Sequence, residues 1–259
     1  MRPAKSGGIA ALLLLIAAAV AAAAPQSAPA GAPPPVLNIV RVRLKPTASG
    51  PYATLEAQIV RAYERAKIRL YWICLQSPRD ASDVLYLNLY DGPGRAEQAA
   101  AYYQTAIKQH PEVAALTDRL RELTSTTSTM LTTRRDDVDH AAHGVDFATM
   151  RALRLTTFHV REGHEGDFLK AIRTTNPREG VWFVYEANDA SIYALITLKR
   201  SAFNRRDGAP VPRALRRFRG FSAKPDTKFF SVRPSMSHVT EAFIATNPQF
   251  WRPAPAPAH

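Results

Sequence analysis

The sequence is 259 residues long, 46% apolar, with one cysteine and a formal net charge of +12. A lone cysteine excludes an internal disulfide, so stability must come from packing, and the basic excess suits anionic surfaces or ligands without specifying one. No Ser-His-Asp order, glycine-rich phosphate loop, paired-cysteine site, HExxH run or nucleic-acid motif is present, which argues against a hydrolase, a nucleotide-dependent enzyme or a nucleic-acid partner.

Arg2 and Lys5 precede an unbroken small and apolar run from Ile9 to Ala24. Basic start, apolar centre and small-x-small site read as a secretory signal peptide over residues 1–23, cleaved after Ala23, with Ala30 as the second choice. The mature chain then keeps a charge of +10, because only Arg2 and Lys5 are lost. Export to the periplasm or medium is expected, without stable membrane insertion after cleavage. Residues 24–35, rich in Pro and Ala, have nothing to bury and read as a disordered lead-in.

The first unit spans residues 36–135. Asn38 to Leu44 alternates arginine with aliphatics, a half-buried strand. From Tyr52 to Lys67, Leu55, Ile59, Ala62, Tyr63 and Ala66 recur at helical spacing. Leu70 to Gln76 and Val84 to Tyr90 form a hairpin, and Cys74 between Ile73 and Leu75 reads as a buried thiol. Arg95 to Leu123 is helical, interrupted at His110-Pro111 because proline cannot donate to the preceding turn. Ser125 to Arg134 is extended.

Residues 136–150 read as a polar linker. His140, His143 and the nearby Asp136, Asp137, Asp139 and Asp146 could be arranged around a divalent metal. Linkers are ordinarily polar and mobile, so no metal site is expected there. The second unit, residues 151–236, repeats the order: strand Leu153–Val160, helix His164–Thr174, hairpin strands Val181–Ala187 and Ile192–Leu198, a short helix Val211–Arg219 and strand Lys228–Val232. The arginines of that short helix spread around it as a solvated face. Residues 237–259 form an appended helix or wrap with a Pro/Ala-rich tail.

The two units match in detail: LNIVRVRLKP with RLTTFHVREG, RLYWICLQ with GVWFVYEA, DVLYLNLYDG with SIYALITLKR, and TSTMLTTRRD with TKFFSVRPSM. Each has the βαββαβ order of a ferredoxin-like sheet. This tandem arrangement resembles the dimeric α+β barrel superfamily, which includes antibiotic-biosynthesis-monooxygenase-like and stress-response domains. The resemblance covers most of Val36 to Met236. It implies an α+β fold in which two ferredoxin-like repeats pack sheet to sheet as a pseudo-dimer within one monomeric chain. Several enzymes of that superfamily work without a dedicated cofactor, and none is expected here. The Asn, Trp and His set of its haem-degrading members has no counterpart at matching positions.

Alternation along the strands predicts the barrel-facing rows. If Leu85, Leu87 and Leu89 pack on helices, Val84, Tyr86, Asn88 and Tyr90 face the barrel. By the same division Trp72, Cys74 and Gln76, Arg41 and Arg43, Thr157 and His159, Trp182, Val184 and Glu186, and Ala194 and Ile196 do so too. Arg41, Arg43, Trp72, Gln76, Tyr86, Asn88, His159, Trp182 and Glu186 are therefore the candidate ligand-binding residues. Aromatics would grip a planar hydrophobic or anionic molecule between the sheets while arginines meet its charge. The expected function is an exported, non-catalytic binding or interaction protein. The alternative is a cofactor-independent monooxygenase-like enzyme, for which His159 and Glu186 would be the general bases.

Overall fold

The computed structural model describes residues 33–139, 146–175, 182–188, 191–202 and 211–252. The signal segment, the lead-in up to residue 32, His140 and His143, and the tail from residue 253 lie outside the described residues. Among the described residues, no helix is long and apolar enough to cross a membrane.

The first half runs β1 (Val36–Leu44), α1 (Ser49–Ala66), β2 (Ile73–Gln76), β3 (Asp83–Tyr90), α2 (Arg95–Gln109), α3 (Pro111–Glu122) and β4 (Thr124–Arg134). The second runs β5 (Ala152–His159), α4 (Glu165–Arg173), β6 (Phe183–Ala187), β7 (Ile192–Lys199), α5 (Arg213–Arg216) and β8 (Asp226–Val232). Two short helices follow, α6 (Glu241–Thr246) and α7 (Pro248–Trp251). The strands close into a barrel in the order β1-β3-β2-β8-β5-β7-β6-β4. Its seams are β2 with β8 and β4 with β6, both antiparallel.

Local chemistry sets the helix limits. The apolar stripe of α1 buries Tyr52, Leu55, Ile59, Val60, Ala62 and Tyr63, and the helix stops where Lys67 turns left-handed at φ 55°. Pro111 opens α3 at its first position, splitting the expected long helix in two.

The barrel interior is apolar and filled. Leu37, Ile39, Ile73, Leu75, Leu85, Leu87, Leu89, Leu153, Leu155, Phe183, Tyr185, Ala194, Ile196, Leu198, Phe230 and Val232 form one core. The expected linker contributes to that core: Phe147, Ala148 and Met150 are buried in it. So does the C-terminal extension, through Phe243 and Trp251, and the Trp251 indole donates to the Ala148 carbonyl at 3.1 Å. The expected linker and the expected C-terminal wrap thus both join the core, because their apolar side chains have one to enter. Pro34, expected in the disordered lead-in, is docked as well: its carbonyl accepts from the Tyr185 hydroxyl at 2.9 Å. Asp139 is committed to structure, accepting from the Val184 N–H at 2.7 Å and pairing with Arg134.

Candidate active site in the first half

The core composition corrects three strand faces. Leu85, Leu87 and Leu89 face the barrel, so Val84, Tyr86, Asn88 and Tyr90 face the helices. Ile73 and Leu75 likewise face inward, which turns Trp72, Cys74 and Gln76 outward; Phe183 and Tyr185 do the same for Trp182, Val184 and Glu186. Arg41, Arg43, Thr157, His159, Ala194 and Ile196 keep the barrel-facing rows expected of them. An aliphatic row suits helix packing, but a closed barrel needs such a row inside. Among the described residues, the space between the sheets is taken up by the core side chains named above.

That cleft lies between the helix-facing side of β1, β2, β3 and β4 and helices α1, α2 and α3. It has two lobes of about 370 Å³ and about 670 Å³, which share Val40, Tyr63, Trp72, Asn88 and Tyr103. The first lobe also meets Tyr52, Glu56 and Tyr86, the second Asn38, Tyr90 and Glu97. Register explains the grouping. Asn38 pairs with Asn88 and Val40 with Tyr86 across β1 and β3, and Cys74 of β2 pairs with Tyr86. Tyr52, Glu56 and Tyr63 come from one face of α1, at helical spacing above the sheet.

Glu56 dominates the chemistry. It is only 3% exposed, and its Oε2 has no hydrogen-bond partner. Burial lifts its carboxyl to about 8, with the Tyr86 hydroxyl and Trp72 indole offsetting part of that rise. Beside it the Tyr52 and Tyr86 hydroxyls lie 2.7 Å apart, both phenols raised by burial. Burial also raises the Cys74 thiol, which keeps it protonated and inert.

Trp72 forms a wall of both lobes and is fixed from two sides. Its indole donates to the Met236 carbonyl at 2.8 Å, and its ring meets Tyr63 edge-on at 5.0 Å. Its backbone exchanges hydrogen bonds with His238 at 2.7 and 3.1 Å, so the segment after β8 braces the cleft. The His238 ring stacks on Tyr71 and bonds the Leu70 carbonyl through Nδ1. Burial pushes its pKa down.

Of the residues singled out from the sequence, Trp72, Tyr86 and Asn88 come together here. Gln76 instead donates to the Ala81 carbonyl and steadies the hairpin loop. Arg41 makes two 2.8 Å bonds to Asp83 and a longer one to Asp226 at one end of the barrel, where Arg43 pairs with Asp80. His159 ends β5 in the second half. Trp182 is 1% exposed in an aromatic core, and Glu186 accepts from Arg135 and from the Tyr193 hydroxyl. Glu56, Tyr52, Tyr63, Tyr103 and Asn38 were missed. One signal existed: Glu56 interrupts the apolar stripe of α1 one turn after Tyr52, where a solvated charge does not belong.

No protein-family model and no curated protein matches the sequence. Solved structures do match. An anthrone oxidase-like protein aligns with a TM-score of 0.52 at 12% identity, covering 82% of this chain and 97% of that one. A variant of chlorite dismutase from Candidatus Nitrospira defluvii gives 0.51 at 9% identity, covering 83% and 96%. A monooxygenase-like protein of Fusobacterium nucleatum gives 0.50 at 11% identity, covering 77% and 93%. The chain shares the eight-stranded α+β barrel fold of these structures. The α+β barrel proteins it matches are oxidoreductase-type enzymes, a finding that overturns the expected non-catalytic binding protein and favours the oxygenase alternative.

Proposed function

We propose that the chain is a cofactor-independent oxygenase acting on a planar, electron-rich aromatic ketone or phenol, with the first-half cleft as its active site. One observation carries the reading. A buried carboxyl with a free oxygen and a pKa near 8 lines an aromatic-walled cleft, the arrangement a general base needs. The anthrone oxidase-like neighbour suggests the substrate class.

The chemistry balances without a resident group. Ionised Glu56 removes a proton from the acidic methylene carbon of the substrate. The resulting carbanion passes one electron to O₂, and the radical pair collapses to a C–O bond. Protonation gives a hydroperoxide. Loss of the second methylene proton as the O–O bond breaks leaves a ketone and one water. Substrate CH₂ plus O₂ thus becomes C=O plus H₂O, the substrate supplying all the electrons. Trp72, Tyr63 and Tyr103 would hold the ring plane, and the Tyr52–Tyr86 pair would carry protons beside the base.

The matching strand orders β4-β1-β3-β2 and β8-β5-β7-β6 support an internal pseudo-dimer of two repeats, of which the first keeps the site. The basic start and apolar run before residue 25 support export. The test is oxygen uptake and quinone formation with anthrone as probe. Glu56→Gln should lower turnover by about 10²–10⁴-fold while leaving the fold intact. A Glu56→Gln protein with wild-type turnover would sink the assignment.

A further inference from the structure

We infer that Asn38 is a specificity-determining residue, whose Oδ1 receives a hydrogen bond from a substrate hydroxyl in the lobe away from Glu56. This rests on the cleft being the active site. The orientation of the Asn38 amide follows from its neighbours. Asn88 Nδ2 donates to the Tyr71 carbonyl at 3.1 Å, and a carbonyl can only accept. Asn88 Oδ1 is therefore turned toward its cross-strand partner Asn38, whose Nδ2 donates to it at 3.2 Å. Flipping the Asn38 amide would set two oxygens against each other. The chain of amides leaves Asn38 Oδ1 buried with no partner.

Buried acceptors are seldom left unpaired, and a donor must reach this one. The second such acceptor in the cleft is Glu56 Oε2. Glu56 lines one lobe and Asn38 the other, with Tyr63, Trp72 and Tyr103 common to both. An acceptor in each lobe with aromatic walls between them complements a flat molecule carrying hydroxyls at opposite ends. The hydroxyl at Asn38 orients the molecule so that its reacting end lies at Glu56, the place that a second hydroxyl takes in an already oxidised probe.

Anthraflavic acid, a dihydroxyanthraquinone with hydroxyls at opposite ends, and its monomethyl and dimethyl ethers separate the possibilities. All are already oxidised, so binding is read without turnover, by quenching of tryptophan fluorescence and by calorimetry. Wild type should prefer the dihydroxy probe to the monomethyl ether by about tenfold, the scale of one hydrogen bond to a buried acceptor. Asn38→Leu should bring that ratio near one. Asn38→Asp loses the same contact to Asn88 but keeps an acceptor, so it should keep the preference; comparing ratios within each variant cancels any loss of fold. Equal binding of the probes by wild type, as a water resting on Oδ1 would give, overturns the inference, as does a ratio that survives Asn38→Leu or failure of every probe to bind. The two readings fail separately. A flat ratio with turnover still dependent on Glu56 rejects only the role of Asn38, and an Asn38-dependent ratio with turnover indifferent to Glu56 rejects only the reaction.

Discussion

The helix-facing side of the first sheet is hollow, and that of the second is filled. In the first half α1, α2 and α3 stand over β1 and β3 with Trp72, Tyr63 and Tyr103 as walls rather than plugs. In the second half Phe168 of α4 drives into the same space. It packs on Tyr193 at 4.7 Å, Phe158 at 5.3 Å and Phe218 at 5.7 Å, and Phe221 closes over them. The approach is tight enough that a Cβ on Gly220 would fall 2.4 Å from the Phe218 ring. Carboxyls follow the same division: Glu56 is buried with a free oxygen, whereas Glu186 is half-buried and bonded to Arg135 and Tyr193. The lesson is that one sheet order supports either a core or a site, depending on which side chain the covering helix sends down. Phe168 makes a core. Glu56 beside Tyr52 leaves a site.

The sharpest way to break this comparison is to remove both carboxyls in turn. Glu56→Gln should cost about 10²–10⁴-fold in turnover, and Glu186→Gln should stay within twofold of wild type, measured by oxygen uptake. Equal losses would erase the functional distinction between the halves. Stability should show the reverse order. Phe168→Ala removes a fully buried ring from a packed core and should cost about 3–5 kcal/mol in denaturant titration. Tyr103→Ala, on a cleft wall, should cost about 1 kcal/mol or less.

pH dependence sharpens the contrast further. Glu56 ionises near pH 4.5 when unfolded but near 8 in the native state, so the native chain binds the extra proton between those values. Its contribution to stability therefore falls as pH rises from about 4.5 to about 8, with a slope of at most about 1.4 kcal/mol per pH unit. Glu56→Gln should flatten that slope in thermal melts taken across the window, and wild-type turnover should rise through pH 8 as the base ionises. A slope unchanged in the variant would mean that the carboxyl is solvated. The smallest effect is expected at the barrel end. Arg43→Ala breaks a solvent-exposed pair with Asp80 and should shift stability by less than about 1 kcal/mol, with unchanged turnover.

The order of strands and helices was legible because it depends on local rules: alternation in β1, the apolar run of β7, the apolar stripe of α1, and the break at His110-Pro111. The presence of aromatics and amides on one face of β2 and β3 was legible too, since alternation places Trp72, Tyr86 and Asn88 on one side whichever way that side points. Which side that is was decided only by tertiary structure. Leu85, Leu87 and Leu89 satisfy a helix or a barrel interior equally well by hydrophobicity, and only closure of the eight strands settles it. The same holds for Phe147, Met150 and Trp251, which read as linker and tail until the barrel offers them an end to plug. Glu56 is the extreme case. Its sequence position said only that a charge interrupts an apolar stripe; the free oxygen and the raised pKa arise because α1 lays it, almost fully buried, against the sheet, and burial exists only once the chain has folded.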